Sequence, residues 1–279
     1  MYKFAVFGYP IQHSYSPQLH QIFAEQTHIA HHGFRYTKEC IEPAHFQQQV
    51  RAFFQQGGNG LNITVPFKQE AFTMAQAITD RAQAAGAVNT LWLKDNILFG
   101  DNTDGIGLVK DIRRLGIALE SPILLIGAGG AAKGVALPLL QAGCTQLHIA
   151  NRTESKAVEL IESVRAYSAD IPLSASGLEN IPPQAWTIII NASASSLSTE
   201  ELAIPSRIFA HCALAYDMVY HKTASTPFLQ QAQHHGAKQC ADGLGMLVYQ
   251  GAEAFSIWTG KYPKAKAALT ELRTILQQA

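Results

Sequence analysis

A strand that ends in a glycine-rich turn and leads straight into a helix is the feature that most constrains the fold of this chain. The segment reads SPILLIGAGGAAKGVALPLLQAG, residues 121–143. Its apolar run ILLI predicts a buried strand, GAGGAA fits G-x-G-x-x-A, and the apolar stretch that follows predicts a helix. Further apolar runs of strand length, QLHIAN, WTIII and LAYDM, alternate with helical stretches. This alternation predicts a parallel, Rossmann-like α/β sheet in the second half.

The glycine turn also predicts a dinucleotide site. The pattern alone is weak, because glycines often mark plain turns, but its place between a strand and a helix is the one that a dinucleotide fingerprint requires. Without side chains, the turn lets a pyrophosphate approach the free N–H groups at the helix N-terminus. The candidate cofactor residues of the turn are Gly127, Ala128, Gly129, Gly130 and Ala131.

The residues after the next strand indicate NADP rather than NAD. NAD sites usually carry an acid here, which binds the ribose 2′-hydroxyl. This chain has Asn151 instead, followed by Arg152 and Thr153. The Arg152 guanidinium suits a 2′-phosphate, with Lys156 nearby. The alternative for Arg152 is a solvated surface side chain.

The first half also reads as alternating strands and helices, which predicts an α/β domain with a mostly parallel sheet, so two α/β domains are predicted for the 279 residues. KFAVFG, FRYTKECI and GLNITV are strand-like, and AVNTLWLKDNILFG predicts a hairpin that turns at Asp95-Asn96. SPQLHQIFAEQ predicts a helix with Ser16 as N-cap, and FKQEAFTMAQA predicts one with Pro66 in its first turn. DNTDGIGLVKDIRRLG predicts a connecting helix, and the last forty residues are helical.

Composition and spacing exclude several classes of function. Lysine plus arginine equals aspartate plus glutamate, 21 each, so neither a nucleic-acid footprint nor a polybasic membrane surface is predicted. The four cysteines are scattered without C-x-x-C, the histidines show no metal-ligand spacing, and no G-x-S-x-G is present. The N-terminal apolar run is too short for a signal peptide, and no segment suits a membrane helix. We expect a cytoplasmic protein with a small ligand and no metal.

Polar clusters follow the strands of the first half: HSYSP, NITVPFK, GAVNT and GDNTDG. Ligands of open α/β sheets bind outside the carboxyl ends of strands. Ser14 and Ser16 can donate hydroxyl hydrogens to an anion. Asn89 either binds the ligand or stabilises its loop. Asp104 either binds the ligand or caps the connecting helix. Asp101 is expected to be the more exposed acid of its loop and to be structural.

Lys68 is the most unusual of these residues. It follows Pro66 in a predicted first helical turn, where the helix dipole disfavours a cation. We expect such a lysine to serve a ligand, and the alternative is a solvated helix-terminal lysine.

Together these motifs resemble those of the shikimate dehydrogenases. FGYPIQHSYSP, NITVPFKQEAF, AGAVNT, GDNTDG, GAGGAAKG, NRT, YDMVY and ADGLGMLVYQGAEAF match the family pattern in its order. The resemblance spans nearly the whole chain, which makes it far more specific than any one glycine motif. It implies NADP-linked reversible reduction of 3-dehydroshikimate to shikimate in aromatic amino acid biosynthesis.

The resemblance also implies roles for individual residues. Lys68 and Asp104 would form the catalytic pair. The residues implied to bind substrate are Ser14, Ser16, Thr64, Asn89, Tyr220 and Gln250, with the two serines and Tyr220 at the carboxylate. The residues implied to bind NADP are the glycine turn, Asn151, Arg152 and Thr153, with Met218 and Gly243 beside the nicotinamide.

The family architecture implies that the C-terminal helices return to the first domain. The expected domains are 1–102 plus 241–279 for substrate and 103–240 for NADP. The chain departs from the family pattern in the loop after NAS, where Ser196 replaces the usual glycine and puts the nicotinamide contacts of that loop in question.

Two other functions are kept as alternatives. An NAD-linked quinate/shikimate dehydrogenase would carry an acid near Asn151, and only Glu154 approaches that place. A non-catalytic NADP-binding regulator would be favoured by loss of Lys68 or Asp104, and both are present. The sequence is compatible with a monomer or a homodimer.

Overall fold

The structure is a computed structural model that describes residues 1–168, 170–193, 195 and 201–278. The chain forms two compact units. Unit 1 comprises Met1–Gly107 and Val248–Ala279, and unit 2 comprises Leu108–Leu247. The boundaries expected from the sequence, after residues 102 and 240, lie close to these division points and stay a prediction.

Unit 1 is an α/β unit built on a six-stranded sheet. In chain order its elements are β1 Tyr2–Gly8, α1 Ser16–Gln26, β2 Phe34–Cys40, α2 Phe46–Gln55, β3 Gly60–Ile63, α3 Lys68–Met74, β4 Ala77–Ile78, α4 Asp80–Ala85, β5 Thr90–Lys94, β6 Ile97–Asp101 and the start of α5 Asp104–Arg114. The strand order is β2-β1-β3-β5-β6-β4. Pairs β1–β2, β1–β3 and β4–β6 are parallel, whereas β3–β5 and β5–β6 are antiparallel.

The hairpin predicted from the sequence is present between β5 and β6. Its two central residues, Asp95 and Asn96, have φ of 52° and 60°. Positive φ at both positions suits the twist of a tight hairpin turn, and Asp and Asn tolerate it well. The hairpin returns the chain so that Asp101, at the end of β6, pairs with Thr90 at the start of β5.

Alternating side chains of β1 fill the core on both faces of the first sheet. Ala5 and Phe7 join a buried cluster with residues of α2, whereas Phe4 and Val6 join a second cluster. Trp258 stacks on Phe4 in that second cluster with 4.9 Å between ring centroids. Successive side chains of a strand point to opposite faces of the sheet, so these two clusters bury β1 on both faces.

Unit 2 is built on a six-stranded, entirely parallel sheet of order β12-β11-β10-β7-β8-β9. Its elements are β7 Pro122–Ile126, α6 Gly130–Gln141, β8 Gln146–Ala150, α7 Glu154–Arg165, β9 Leu173–Ser176, β10 Ile188–Asn191, β11 Leu214–Asp217, α8 Pro227–His234 and β12 Cys240–Asp242. Two more helices follow in the chain, α9 Leu244–Thr259 and α10 Ala265–Gln278. Most of α9 and all of α10 belong to unit 1. The order reverses at β7, as in a doubly wound Rossmann-like sheet.

Two predicted helix starts are wrong by one or two residues. The N-cap of α1 is Tyr15, not Ser16, whose hydroxyl accepts a hydrogen bond from the Ser14 hydroxyl. Pro66 lies in a turn before α3, because the Phe67 N–H donates to the Thr64 carbonyl at 2.9 Å and closes that turn. Lys68 is the first residue of α3, so its expected place in the first turn is confirmed.

Three short strands were not predicted: β4, β9 and β12. Each has two to four residues, too few for a period-2 pattern to emerge. Within the part of the chain that the structure describes, no helix combines the length and apolar character needed to cross a membrane.

Candidate active site

Lys68 forms an ion pair with Asp104 in unit 1. The Lys68 Nζ donates to Asp104 Oδ2 at 2.6 Å. The lysine side chain is 25% exposed and that of the aspartate 9%, so the ammonium can reach a ligand while the carboxylate stays protected. Asp104 opens α5 shortly after β6, and Lys68 opens α3 shortly after β3.

The Asp104 carboxylate is fixed on its other side by Asn89. The Asn89 Nδ2 donates to Asp104 Oδ1 at 2.8 Å. The Asp104 backbone N–H donates to Asn102 Oδ1 at 3.1 Å, which fixes the start of α5. Each carboxylate oxygen therefore has a donor of its own, and the Lys68 ammonium meets an acceptor of fixed direction.

Gln250 joins the same cluster from α9. Its Oε1 accepts from Asn89 Nδ2 at 3.4 Å and from Thr103 Oγ1 at 3.3 Å. Asn89 Oδ1 in turn accepts from the Thr103 N–H at 2.9 Å. The expected site residues Lys68, Asn89, Asp104 and Gln250 are thus in one hydrogen-bonded group.

Ser14 and Ser16 form a second polar group of unit 1. The Ser14 hydroxyl donates to Ser16 Oγ at 3.1 Å, and the Ser16 N–H donates to Ser14 Oγ at 3.3 Å. Tyr36 donates to Asn62 Oδ1 at 2.7 Å, and Asn62 Nδ2 donates to the Asn89 carbonyl at 3.3 Å. Tyr36 is therefore linked through Asn62 to the backbone of Asn89.

Sequence reasoning missed Tyr36 as a member of this site. Tyr36 carries no motif; only its alternation on β2 marks it as inward-facing. Its partner Asn62 is buried, and both the oxygen and the nitrogen of its side-chain amide form hydrogen bonds.

Thr64 lies at the end of β3, half-buried, with its N–H donating to the Phe7 carbonyl at 2.9 Å. A Cβ on Gly8 would lie 2.5 Å from Thr64 Cγ2, so only glycine lets the two strand ends approach this closely. Tyr220, the remaining expected substrate residue, is half-buried and follows β11 in unit 2.

Asp101 is not the exposed acid that the sequence suggested. It is 2% exposed, less than the 6% of Asp104. Its Oδ1 accepts from Arg81 Nε at 2.7 Å, and its Oδ2 accepts from Arg81 Nη2 at 2.6 Å. The Asn102 N–H also donates to Asp101 Oδ1 at 2.7 Å. The antiparallel hairpin turns Asp101 inward, where this pair stabilises the loop that carries Asp104.

The glycine turn of unit 2 has the open form that binding of a phosphate group would require. Gly127 has φ of +109°, and a Cβ there would lie 3.1 Å from the backbone of Ala192 and Ser193, so its role is conformational. Gly129 and Gly130 are exposed, and a Cβ at either would meet nothing within 4 Å. The Gly129 N-cap offers no side-chain acceptor to the first N–H groups of α6. The space beside Gly129 and Gly130 is open, which suits a pyrophosphate bound at the start of α6.

The residues after β8 fit a 2′-phosphate in their donor chemistry. Arg152, Thr153 and Lys156 are exposed, and the Thr153 side chain does not cap α7. The Asn151 Nδ2 donates to the Thr153 carbonyl at 2.8 Å, which fixes the turn. Two cations and a hydroxyl lie close together in the chain, so the donor set fits NADP.

Met218 and Gly243 lie together at the carboxyl ends of β11 and β12. A Cβ on Gly243 would lie 2.1 Å from the Met218 carbonyl oxygen, so glycine is required for this approach. The Gly243 N–H donates to the Val219 carbonyl at 3.1 Å. Ser196 lies outside the described residues. Among the residues that are described, no group of histidine, cysteine or acidic side chains could hold a metal ion.

Comparison with protein families matches three regions of the chain. The shikimate dehydrogenase substrate binding domain matches residues 6–91, shikimate / quinate 5-dehydrogenase matches residues 113–202, and the shikimate 5′-dehydrogenase C-terminal domain matches residues 243–273. The matches cover both units.

Individual relatives extend over nearly the whole chain. The shikimate dehydrogenase (NADP(+)) of Bordetella avium (strain 197N) is 49% identical, covering 98% of this chain and 96% of the relative. The Ael1 enzyme of Pseudomonas putida is 39% identical at a TM-score of 0.90, covering 98% of each chain. The shikimate 5-dehydrogenase of Thermus thermophilus, solved with NADP(H) and shikimate, is 30% identical at a TM-score of 0.85, covering 99% of this chain and 100% of that one. The chain belongs to the shikimate dehydrogenase family.

Proposed function

We propose that this protein catalyses the NADP-dependent, reversible reduction of 3-dehydroshikimate to shikimate, with Lys68 and Asp104 as its catalytic pair. The observation that carries the assignment is the 2.6 Å contact between the Lys68 ammonium and an aspartate held from its other side by Asn89. The names of the relatives support the reaction and the cofactor.

When bound, NADPH supplies the hydride that reduces the ketone carbon. The chain must then stabilise the negative charge that develops on the ketone oxygen and deliver one proton to it. The Lys68 ammonium can do both, and in the reverse direction neutral Lys68 takes the proton back. Asp104 orients Lys68, because Asn89 and the start of α5 fix the direction of its carboxylate.

Substrate binding is assigned to the two polar groups of unit 1. Ser14 and Ser16 donate to the carboxylate, together with Tyr220. Thr64, Asn89 and Gln250 bind the ring hydroxyls. The hydrogen bonds among Asn89, Thr103 and Gln250 support this role, because they hold the amide groups in fixed orientations before substrate arrives.

Cofactor binding is assigned to unit 2. The open turn at Gly129 and Gly130 receives the pyrophosphate, and Gly127, Ala128 and Ala131 complete the turn. Asn151, Arg152, Thr153 and Lys156 bind the 2′-phosphate and ribose. Met218 and Gly243 are assigned to the nicotinamide.

We further propose domains of 1–102 with 241–279 for substrate and 103–240 for NADP, acting as a monomer or a homodimer in the cytoplasm. All four cysteines are free, as expected in a reducing compartment. Light scattering on the eluting protein distinguishes the two oligomeric states.

The deciding experiment is an initial-rate assay with the purified chain that follows formation of reduced nicotinamide. We expect oxidation of shikimate with NADP, much slower oxidation with NAD, and little activity on quinate. Preference for NAD or for quinate would instead support the quinate/shikimate dehydrogenase alternative. NADP binding without turnover of either substrate would support a regulator.

A further inference from the structure

Three polar side chains form a row across the carboxyl ends of neighbouring strands in unit 2. Asn191, Asp217 and Asp242 are the last residues of β10, β11 and β12. The strand register places Asn191 beside Asp217, and Asp217 beside Asp242. All three residues are buried. Burial of a carboxylate is costly unless hydrogen-bond donors satisfy it, so the donors that reach this row identify the parts of the chain that it holds.

Asp217 holds the backbone that follows its own strand and the start of the next helix. The Val219 N–H donates to Asp217 Oδ1 at 3.1 Å, and Asn191 Nδ2 donates to the same oxygen at 3.4 Å. The Thr226 hydroxyl donates to Asp217 Oδ2 at 2.5 Å. Thr226 is also the N-cap of α8, where its hydroxyl oxygen accepts from the Leu229 N–H at 3.3 Å. The segment between β11 and α8 is therefore fixed to Asp217 near both of its ends.

Asp242 holds the same segment and the residues that follow β12. The His221 N–H donates to Asp242 Oδ2 at 3.2 Å, and the Leu244 N–H donates to Asp242 Oδ1 at 3.4 Å. The two segments also bond to each other, because the Gly243 N–H donates to the Val219 carbonyl at 3.1 Å. One carboxylate thus ties together the backbones that leave two adjacent strands.

The backbone held in this way is that of Met218 and Gly243. The Met218 N–H donates to the Asn191 carbonyl at 2.9 Å, and Asp217 accepts from the N–H of the next residue. Asp242 likewise accepts from the N–H of the residue after Gly243. Because a Cβ on Gly243 would lie 2.1 Å from the Met218 carbonyl oxygen, the two backbones touch and neither can shift alone.

We infer that Asp217 and Asp242 are positioning residues for the nicotinamide ring: they fix the backbones of Met218 and Gly243 against which that ring lies. The inference rests on the proposed assignment of Met218 and Gly243 to the nicotinamide. Neither carboxylate need touch the cofactor. Reaction requires the reacting carbons in a defined geometry, so a ring that moves loosely should slow turnover although the cofactor stays bound. The residues assigned to the pyrophosphate and the 2′-phosphate follow other strands, β7 and β8.

The test uses Asp217→Ala and Asp242→Ala, each of which removes the acceptors of one carboxylate. Time-resolved fluorescence anisotropy of bound NADPH measures motion of the nicotinamide ring, because the reduced ring is the fluorescent group. In the parent protein the ring should rotate with the protein. In both variants a fast component should appear in the anisotropy decay. The Kd of 2′-phospho-ADP-ribose, which lacks the nicotinamide, should keep its parent value.

Turnover is measured on the same preparations and expressed per site that binds 2′-phospho-ADP-ribose, so that unfolded protein does not count. This kcat per site should fall about ten- to a hundredfold in both variants, because a misplacement of about 1 Å can have an effect of this size. Asp217→Asn and Asp242→Asn keep the side-chain volume and one acceptor oxygen. They should show a smaller fall, of about threefold or more, and they carry the test if the alanine variants do not fold.

Ser176→Ala is the matched control. Ser176 is the buried last residue of β9 in the same sheet, and its hydroxyl donates to the Gly177 carbonyl at 2.8 Å. No residue assigned to the cofactor follows β9. Loss of this hydrogen bond should lower the melting temperature and leave ring motion and kcat per site at the parent values.

Met218→Ala separates failure of the inference from failure of the assignment on which it rests. Parent-like ring motion and kcat per site in Met218→Ala would mean that Met218 is not beside the nicotinamide. If that variant changes both quantities but the aspartate variants match the parent, the inference alone is overturned. A lower kcat per site without faster ring motion in the aspartate variants would overturn it too. Equal loss of affinity for NADP and for 2′-phospho-ADP-ribose would show that the two carboxylates only support folding of unit 2.

Discussion

Lys68 Nζ lies 2.6 Å from Asp104 Oδ2, although the two residues are 36 positions apart in the chain. The lysine opens α3, where the helix dipole disfavours a cation. The Asp104 carboxylate offsets this effect and is itself held by Asn89 at 2.8 Å. The buried Asp104 therefore holds the Lys68 ammonium in a fixed place, although the start of a helix is an unfavourable position for a cation.

Arg152 should determine the choice between the two nicotinamide cofactors. A lost charged hydrogen bond is worth roughly 1.5–3 kcal/mol, so Arg152→Ala should weaken NADP binding about ten- to a hundredfold and change NAD binding little. Titration of both cofactors measures this. Arg207→Ala, at an exposed arginine of the same unit, is the control. Equal weakening of both cofactors would contradict the assignment.

Substitutions at two glycines of the turn should affect stability and cofactor binding separately. Gly129→Ala should keep the melting temperature, because its added Cβ meets nothing within 4 Å, yet weaken NADP binding by filling the space of the pyrophosphate. Gly127→Ala should lower the melting temperature, because φ is +109° there. Thermal melts with and without NADP test both. A Gly129→Ala variant that binds NADP normally would place the pyrophosphate elsewhere.

Much of the fold follows from local patterns, whereas the links within the site do not. The glycine turn and the Asp95-Asn96 hairpin were predictable, because each depends on residues that are neighbours in sequence. The contact of Asn89 with Gln250 joins residues 161 positions apart and depends on tertiary packing. The burial of Asp101 likewise depends on the hairpin that turns it inward and on its distant partner Arg81, and not on any motif.

The two buried histidines should make stability depend on pH. Burial lowers the pKa of His20 to about 3 and that of His148 to about 4, from 6.5 in the unfolded chain. Below pH 6.5 both histidines take up a proton in the unfolded state but stay neutral in the folded state. The free energy of unfolding should therefore fall as the pH drops from 6.5 toward 4. The slope approaches about 1.4 kcal/mol per pH unit for each histidine.

Urea unfolding between about pH 7 and pH 5 measures this slope. His148→Gln should reduce this slope, because one of the two histidines that take up a proton on unfolding is removed. The His148 ring nitrogens contact the hydroxyls of Ser174 and Ser176 at 2.8 and 2.9 Å, and the glutamine amide can retain one of these hydrogen bonds. The same slope in parent and variant would mean that His148 titrates alike in both states.

Ser14 should govern affinity for the substrate carboxylate. Ser14→Ala removes one donor and the 3.1 Å bond to Ser16, so KM for shikimate should rise while KM for NADP stays unchanged. The methyl ester of shikimate should be a poor substrate of the parent enzyme. An ester that turns over as well as the acid would place the carboxylate elsewhere.

Lys68 should be the proton donor, and its removal should affect chemistry far more than folding. Lys68→Ala should lower kcat by about 10²–10⁴, the usual contribution of a positioned acid or base. NADP binding should survive, because the assigned cofactor residues belong to unit 2. The melting temperature should fall modestly, because Asp104 loses its cationic partner. The fall is limited because Asn89 still donates to the Asp104 carboxylate and because the unfavourable cation at the start of α3 is removed.

The matched control for Lys68 is Lys266, an exposed lysine in the first turn of α10. Lys266→Ala also removes a cation from a helix N-terminus, so its melting temperature should hold or rise slightly and kcat should stay at the parent value. The decisive measurement is kcat with melting temperature on the same preparations. Parent-like activity in Lys68→Ala would mean that another group delivers the proton. Activity lost only in proportion to unfolded protein would make Lys68 structural, and the 2.6 Å pair with Asp104 would then serve stability.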